Sequence, residues 1–248
     1  MNTFIDRILR NPATFEFLSL FVYALYCAVF AIAALPAALL IFWASQFLNG
    51  TVLMLSLFVL FCALAFYVFL VSAAVFVGLV ERLITLGIKP GAYLIGSPVF
   101  FRWLINAGLH LWLVNLVLPF MRGNNWIKIY LRIAGAKVGK QTFVNTSDIY
   151  DPYLLEIGDN VLIGGEAFIN CHLYENGFLN LGKIVVAEGT TIGAKAYLTP
   201  GTTTGRNSTI GMYTYLRRNT SMKDNDALIT PPGMNIRQVV RAMKKNSD

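Results

Sequence analysis

Aliphatic residues recur at every sixth position through the second half of the chain, and this repeat restricts the possible folds more than any other feature of the sequence. It begins at Val138, resumes after one extra residue at Ile157, and after a longer break runs from Val186 to Leu216. The fifth residue of most hexapeptides is small or β-branched, and the aliphatic residue is often followed by glycine, which eases the turn backbone. A period of six fits neither an α-helix nor a heptad, but it fits short strands whose aliphatic side chains point inward. We therefore expect three hexapeptides to close one coil of a prism, with coils stacked by parallel strand pairing.

The repeat is interrupted between Ile169 and Val186. The surplus residues must leave the prism as a loop, which we place at 170–185, and loops on rigid scaffolds are where binding and catalytic residues concentrate. This loop contains His172, the only histidine after Met121. Because imidazole changes its protonation state near neutral pH, it is well suited to accept a proton in catalysis. The sequence therefore makes His172 the candidate general base.

The first half of the chain has a different character, since no Asp, Glu, Lys or Arg occurs between Phe17 and Val80. This run is too long for a signal peptide and long enough for two membrane spans of about 20 residues each. The polar residues at 45–50 mark the break between them. We expect one span near 17–43 and the other near 52–80.

The positions of the basic residues next to the spans predict their orientation. Arg7 and Arg10 precede the first span, Arg82 and Lys89 follow the second, and the intervening loop has no Lys or Arg. Both ends of the pair should therefore face the cytosol. This predicts a multi-pass protein of the cytoplasmic (inner) membrane whose globular domain faces the cytosol.

The segment 92–121 is apolar but also contains Asn106, His110 and Asn115. It is either a third span or an interfacial or re-entrant helix. A third span would place the basic residues that follow it outside the cell, against the positive-inside tendency, so the interfacial placement fits better.

The hexapeptide pattern over 138–216 resembles that of the hexapeptide-repeat acyltransferases, whose fold is a left-handed parallel β-helix. The stretches GAYLIGSPVFFRWL, MRGNNWIKIYLRIAGAKVGK and IGDNVLIGGEAFINCHL also resemble the C-terminal region of polylysine-synthetase-like peptide synthetases, which pairs membrane helices with hexapeptide repeats. The sequence carries no adenylation or carrier domain, so the resemblance implies a stand-alone membrane-bound acyltransferase. The expected fold class is α + β, with transmembrane helices followed by a left-handed parallel β-helix.

The expected organisation follows from these patterns. It comprises a membrane domain (1–121), a linker helix (122–137), the β-helix (138–218) and a basic C-terminal tail (219–248), in which 233–248 has the pattern of a short amphipathic helix.

The resemblance implies acyl transfer from an acyl-CoA donor, most simply acetyl-CoA, with His172 as the base. A carboxylate or carbonyl should hold the other ring nitrogen and fix the tautomer. Glu166, six residues earlier, ranks slightly ahead of Glu175 in the loop, and a backbone carbonyl remains an equal alternative. Adjacent strand residues point to opposite faces, so Cys171 is expected inside the prism.

Further residues receive roles from the same resemblance. Acceptor contacts are expected from Asn170, Asp148 and Asp151, although ordinary turn formation explains the two aspartates equally well. The backbone of the coils after the histidine should hold coenzyme A, and basic side chains should meet its phosphates. Alternatively, these basic side chains form only a solvated edge of the β-helix. The expected residues are Gly193, Ala194, Lys195, Thr199 and Gly201 for the coils, and Arg206, Arg217, Arg218 and again Lys195 for the phosphates.

The charge balance restricts the classes of partner that the protein is expected to bind. Residues 122–248 contain 15 Lys and Arg against 10 Asp and Glu. This excess suits anionic lipid headgroups or a phosphorylated cofactor, and it is too diffuse to indicate nucleic-acid binding. The resemblance also implies a homotrimer with sites between subunits. No metal is expected, because a zinc site on this fold needs several histidines and the globular part has one.

Two other functions remain open from the sequence. The chain is alternatively a catalytically inactive hexapeptide scaffold in a membrane complex, or it forms amide bonds from aminoacyl donors supplied by a partner. His172 in its loop is the feature that favours catalysis over the scaffold. The acyl length and the identity of the acceptor do not follow from the sequence.

Overall fold

The computed structural model of the chain describes residues 12–48 and 50–229. It divides into two compact units. The first contains the chain up to Ile88 together with Tyr93–Met121, and the second contains Lys89–Ala92 and the chain from Arg122 onward. Arg7, Arg10 and the tail helix expected at 233–248 lie outside the described residues.

A long helical hairpin dominates the first unit. Helices α1 (Pro12–Ser45) and α2 (Val52–Thr85) each contain 34 residues and include the two predicted spans. The hydroxyl of Thr51 accepts a hydrogen bond from the Met54 amide and caps the start of α2. Across the hairpin, Ser72 Oγ donates to the carbonyl of Ala33 at 2.6 Å, which satisfies a hydroxyl in apolar surroundings.

A third helix, α3 (Pro98–Leu116), is capped by Ser97 and followed by a 3₁₀ turn at Leu118–Met121. Arg102 near its start donates to the carbonyl of Ile84, and Phe120 after its end packs edge-on against Phe66. Going forward from Arg102 to Phe120, the contacts move backward along α2 from Ile84 to Phe66. This stretch therefore runs antiparallel to the second half of α2. In the described residues, Leu20–Ser45 of α1, all of α2 and all of α3 are long and apolar enough to cross a membrane. The interfacial placement of 92–121 stays a prediction.

The second unit is a stack of short strands around a triangular interior. Gly91 and Ala92 belong to this unit and begin strand β1 (Gly91–Leu94), and a short helix α4 (Asn125–Ile133) precedes the coils. The coil strands are β2 (Lys137–Val138), β3 (Phe143–Val144), β4 (Ile149–Tyr150), β5 (Leu155–Ile157), β6 (Leu162–Ile163), β7 (Phe168–Asn170), β8 (His172–Glu175), β9 (Phe178–Leu181), β10 (Ile184–Val186), β11 (Thr191–Ile192), β12 (Tyr197–Leu198), β13 (Thr209–Ile210), β14 (Tyr215–Leu216) and β15 (Ala227–Leu228).

Parallel pairing groups these strands into three flat faces. The charged face contains β2, β5 and β10 and continues through single bridges at Thr203 and Ser221. The threonine face contains β3, β6, β11, β13 and β15, and the aromatic face contains β4, β7, β12 and β14. The expected fold class, apolar helices followed by a parallel β-helix built from hexapeptides, is confirmed.

The interior is filled as the repeat predicts. The aliphatic positions at Ile163, Ile169, Ile192 and Leu198 are fully buried. The small fifth positions are buried beside them: Thr142, Val161, Ala167, Thr190, Ala196, Thr202, Ser208 and Thr214. Cys171 is also buried, and desolvation raises the pKa of its thiol well above the ordinary value.

The glycines that directly follow an inward-pointing aliphatic residue serve a different purpose from the one expected. A Cβ on Gly164 would lie 2.6 Å from the backbone nitrogen of Ala194, and one on Gly193 would lie 2.5 Å from that of Met212. These glycines allow one coil to approach the next. The left-handed turn conformation falls instead on other residues, such as Asn160 and Glu166, both at φ 55°.

The boundaries expected for the β-helix need one correction. Its strands continue to Leu228, so residues 219–228 belong to the coils and not to a separate tail. The reason is that the six-residue phase continues from Leu216 through Met222, which is 6% exposed, to Leu228. Thr204 is also interior despite its polar side chain, because its Oγ1 accepts a hydrogen bond from the Ala187 amide at 2.9 Å.

Candidate active site

The interruption of the repeat folds as a β-hairpin. Strands β8 and β9 pair antiparallel, with His172 opposite Leu181 and Glu175 opposite Phe178. The turn is Asn176-Gly177, with φ of 52° and 80°, which is the backbone that the Asn-Gly sequence favours in two-residue hairpins. The hairpin thus leaves the prism between the aromatic face and the charged face, and His172 is its first residue.

The imidazole of His172 contacts a buried carboxylate at the base of this hairpin. Its Nδ1 lies 2.6 Å from Asp151 Oδ2, and the two side chains are 19% and 3% exposed. Asp151 has left-handed backbone angles, φ 56° and ψ 58°, directly after the end of β4. The Asn170 side chain accepts a hydrogen bond from the backbone N–H of His172 at 3.3 Å, which further restrains His172. A carboxylate on Nδ1 stabilises the tautomer that is protonated there, which puts the basic lone pair on Nε2.

The partner of His172 differs from the one ranked first by sequence. Glu166 lies one corner earlier on the prism, is 60% exposed, and pairs with Lys195 at 3.3 Å. Asp151, which the resemblance assigned to the acceptor, is the carboxylate that meets the ring. The physical reason is stacking, because residues one full coil apart lie at the same corner whereas residues six apart lie at neighbouring corners.

Aromatic rings surround the histidine. The ring centroid of Tyr150 is 6.4 Å from that of His172 on one side, and that of Tyr174 is 6.2 Å away on the other. Burial, together with the negative charge of Asp151, raises the pKa of Tyr174 to about 12. Burial, and next the charge of Asp148, raises the pKa of Tyr150. Both phenols are therefore protonated near neutral pH and act as neutral walls of the site.

The other expected acceptor residue, Asp148, has a local role in the described structure. Its backbone N–H donates to Thr146 Oγ1 at 3.1 Å, in the turn that leads into β4. This is the turn formation that the sequence left as an equal alternative for the two aspartates.

The residues expected to hold coenzyme A are divided among three corners of the prism. Gly201, Arg217 and Arg218 lie at the hairpin corner, the turn between the aromatic and charged faces that also holds His172 and Asp151. Gly193, Ala194 and Lys195 lie at the corner of Glu166, and Arg206 lies at the third corner.

Thr199 also belongs to the hairpin corner but is fully buried. Its Oγ1 donates to the carbonyl of Leu216 at 2.8 Å, so its side chain faces the interior. The residue is 0% exposed as a whole, so neither its side chain nor its backbone contributes to the surface of this corner.

A small cavity of about 150 Å³ opens at the hairpin corner. Its lining includes Leu181 and Gly182 from the end of β9, and Pro200, Arg218 and Asn219 from the two coils that follow. Leu181 is the strand partner of His172, so the cavity begins one strand away from the imidazole. Arg218 also forms an ion pair with Glu175, which ties the hairpin to a coil further along the stack. This ion pair was not predicted from the sequence.

Among the residues that the structure describes, no cluster of three or more His, Cys, Asp or Glu side chains is arranged to hold a metal ion.

The sequence of the chain is similar to those of two curated proteins. Over 162 residues it is 26% identical to the Delta-poly-L-ornithine synthetase of Acinetobacter baumannii (strain AB307-0294), a match that covers 63% of this chain and 12% of that protein. Over 104 residues it is 30% identical to the putative acetyltransferase YvoF of Bacillus subtilis (strain 168), covering 40% of this chain and 59% of that protein. The chain thus spans only part of the length of the relatives it matches.

The chain is also similar to solved structures. A hexapeptide-repeat acetyltransferase of Vibrio cholerae O1 biovar eltor, in complex with acetyl coenzyme A, aligns with a TM-score of 0.44 and 16% identity, over 61% of this chain and 94% of that one. No protein-family model matches the chain. With a poly-ornithine synthetase and an acetyltransferase among its relatives, and with its β-helix built from hexapeptides, the chain is similar to the hexapeptide-repeat acyltransferases and to a segment of a peptide synthetase, as the sequence predicted.

Proposed function

We propose that this protein is a membrane-anchored acyltransferase that moves an acyl group from acyl-CoA, most simply acetyl-CoA, to a hydroxyl or amine of a lipid-linked or amphipathic acceptor. The contact between His172 Nδ1 and Asp151 Oδ2 at 2.6 Å carries this proposal. A buried carboxylate on one ring nitrogen prepares the other to accept a proton, and the pair stands where the repeat opens.

In the proposed reaction, His172 Nε2 removes the proton from the acceptor hydroxyl as its oxygen attacks the thioester carbonyl carbon. The carbonyl oxygen gains negative charge in the tetrahedral intermediate. When the carbon–sulfur bond breaks, the proton on Nε2 passes to the departing thiolate. The carboxylate of Asp151 stabilises the imidazolium that exists between these steps. The net products are the acylated acceptor and free coenzyme A.

The proposed binding site of the acyl donor is the hairpin corner. Its cavity lies beside the strand partner of His172 and is lined by the Arg218 side chain and by the turns at Pro200 and Asn219. Arg217, one residue away, adds a second exposed guanidinium for the phosphates of coenzyme A. We therefore assign Gly201, Arg217 and Arg218 to the same donor molecule that meets His172. Lys195 and Arg206 lie at other corners and would act only if a second copy of the chain completes the groove.

The apolar helices favour an acceptor that itself resides in or on the membrane, because a soluble acceptor requires no anchor. The placement of the β-helix on the cytosolic side, where acyl-CoA is made available, is part of this proposal and rests on the basic residues Arg82 and Lys89.

The decisive experiment is turnover of acyl-CoA by the purified full chain, with a membrane lipid extract as acceptor. We expect His172→Ala and His172→Gln to lower the rate by about 10²–10⁴. Thermal stability and mass should stay at the wild-type values, since the side chain stands outside the prism interior.

Near-normal turnover by a folded His172→Ala protein would falsify the proposed mechanism. If the wild type turns over no acyl-CoA but transfers aminoacyl groups from a thioester, the amide-forming alternative replaces it. If it does neither, the scaffold function is favoured.

A further inference from the structure

Besides Thr85, whose hydroxyl donates to the carbonyl of Glu81, three polar side chains of the described helical unit are buried in apolar surroundings. Glu81 of α2 and Asn106 and His110 of α3 are each 2% exposed. Between Phe17 and Val80 the two long helices carry no charged residue at all. Ionisable groups in such surroundings are costly, and they mark binding sites or proton pathways far more often than they add stability.

Two of these side chains form a pair between helices. His110 Nδ1 lies 3.0 Å from Glu81 Oε1. A buried pair of this kind contributes little net stability, because the desolvation of both groups offsets their attraction. Hydrophobic side chains of similar size would join α2 and α3 at least as well. The pair therefore calls for a role beyond packing.

Asn106 supplies an independent observation. Its Oδ1 is buried and accepts no hydrogen bond from any residue that the structure describes. Asn106 and His110 are four residues apart on α3, so they lie on the same face of the helix about one turn from each other. A buried acceptor without a donor destabilises a fold, which means that a ligand carrying N–H or O–H groups would relieve that cost.

The position of the cluster along α2 indicates the level at which such a ligand approaches. A helix of 34 residues is about 51 Å long, whereas the hydrocarbon core is about 30 Å thick. Glu81 is four residues from the last residue of α2, Thr85. A helix centred in the bilayer would therefore carry Glu81 at the level of the lipid headgroups. The Glu81 carboxylate favours a cationic donor at this level.

From these observations we infer that Glu81, Asn106 and His110 form a lipid headgroup site that takes a primary ammonium, as in phosphatidylethanolamine. Asn106 Oδ1 accepts one ammonium N–H, and the Glu81 carboxylate, held by His110, supplies the compensating charge. The site belongs to the helical unit alone and does not depend on acyl transfer at His172. Its failure and the failure of the proposed function are therefore separate results.

The test is lipid-dependent thermal unfolding of the full chain in detergent micelles, followed by tryptophan fluorescence. The three probes are phosphatidylethanolamine, phosphatidylcholine, whose quaternary ammonium has no N–H, and diacylglycerol, which offers a hydroxyl without charge. At saturating phosphatidylethanolamine we expect the wild-type Tm to rise by roughly 5 °C, with a smaller rise for diacylglycerol and none for phosphatidylcholine. Asn106→Leu should abolish the phosphatidylethanolamine shift and raise the Tm measured without lipid, because it removes the unsatisfied acceptor.

Asn115→Leu is the matched control, since Asn115 lies on the same helix but is exposed and donates to the Leu111 carbonyl at 2.6 Å. It should keep the full shift. Asn106→Ala replaces Asn106→Leu if the larger side chain prevents folding. Equal shifts for all three lipids, no shift for any of them, or a full phosphatidylethanolamine shift in the Asn106 variant would each overturn the inference. A larger shift for diacylglycerol than for phosphatidylethanolamine would overturn the assignment to an ammonium.

Discussion

Asp151 combines two properties that are individually uncommon at one residue. Its carboxylate is 3% exposed, and its backbone occupies the left-handed region at φ 56°. Aspartate is one of the few non-glycine residues that adopt this conformation readily. The conformation turns the chain sharply after Tyr150 and directs the carboxylate to the base of the next coil. Backbone geometry and burial together thus hold His172 in one tautomer and one orientation.

Asp151→Asn should lower kcat by about 10²-fold or more while the KM for acyl-CoA stays near the wild-type value. The amide preserves the shape of the side chain but removes the charge that stabilises the imidazolium. Steady-state kinetics with varied acyl-CoA measures both constants. Glu166→Gln is the control, because Glu166 pairs with Lys195 at another corner and should leave kcat unchanged. A loss of rate in Glu166→Gln equal to that in Asp151→Asn would contradict the assignment of Asp151.

His172 was accessible to sequence reasoning because it coincides with a break in a strict repeat. The contact between Asp151 and His172 was not, because 21 residues separate the two in sequence. One coil is three hexapeptides, and the extra residues between β4 and β5 and between β7 and β8 shift the count. Only the stacked structure reveals which carboxylate contacts the imidazole. Glu166, six residues away, was the wrong choice for the same reason.

At the scale of the elements, the spacing of the coils depends on how closely the backbone of one coil approaches that of the next. Gly164 and Gly165 are neighbours in sequence and differ completely in this respect. A Cβ on Gly164 would meet the Ala194 backbone nitrogen at 2.6 Å, whereas one on Gly165 would meet nothing nearer than the Asn145 side chain at 3.5 Å. The same pattern recurs at Gly193, where the Met212 backbone limits the space.

Gly164→Ala should therefore destabilise the β-helix by about 1–3 kcal/mol, because the clash is with backbone and cannot be relieved by a side-chain rotation. Gly165→Ala should change the free energy of unfolding by less than about 0.5 kcal/mol. Chemical denaturation of the two variants under identical conditions gives both values. Equal destabilisation would show that coil spacing is not what selects glycine at position 164.

The extent of the coils was partly predictable. The interior positions from Val144 to Leu216 follow from the period of six once the extra residue before Ile157 and the break at 170–185 are taken into account. The coil at 219–228 was missed because charged residues surround Met222 and hide its place in the phase. The hairpin was expected only as a loop, although its Asn-Gly turn is a recognisable signal for two paired strands.

For the molecule as a whole, the three faces of the β-helix differ in chemistry. On the charged face, Glu156 bridges Lys137 at 2.6 Å and Lys183 at 2.8 Å, and these hydrogen bonds lower the pKa of the Glu156 carboxyl. The outward residues of the other two faces carry no charge. They are Phe143, Leu162, Thr191, Thr209 and Ala227 on the threonine face, and Tyr150, Phe168, Tyr197 and Tyr215 on the aromatic face. A closed threefold ring joins two different surfaces of each copy, and this chain offers two different faces whose strands present uncharged side chains.

We expect a trimer in detergent, with the threonine face at the contact between copies. Thr209→Arg places a charge in the middle of this face and should reduce the mass to that of a monomer. Thr203→Arg is the matched control, because Thr203 is also exposed but lies on the charged face. Light scattering coupled to size-exclusion chromatography measures the mass of the protein component. A monodisperse wild-type monomer, or a trimer that survives Thr209→Arg, would contradict this arrangement.

Because the coils are stacked, the residues around His172 do not depend on how many coils the β-helix contains. The strands of each coil pair only with those of the coil before it and the coil after it, so a disturbance weakens as it passes along the stack. Asp151 and His172 belong to two successive coils, and α4 closes the stack beneath the first of them through Lys128 and Arg132, which donate to the carbonyls of Thr142 and Val138. Coils at the far end could be added or lost over evolutionary time while these two residues keep their distance. The proposed proton acceptor and its carboxylate would then keep their geometry in related proteins whose stacks are longer or shorter.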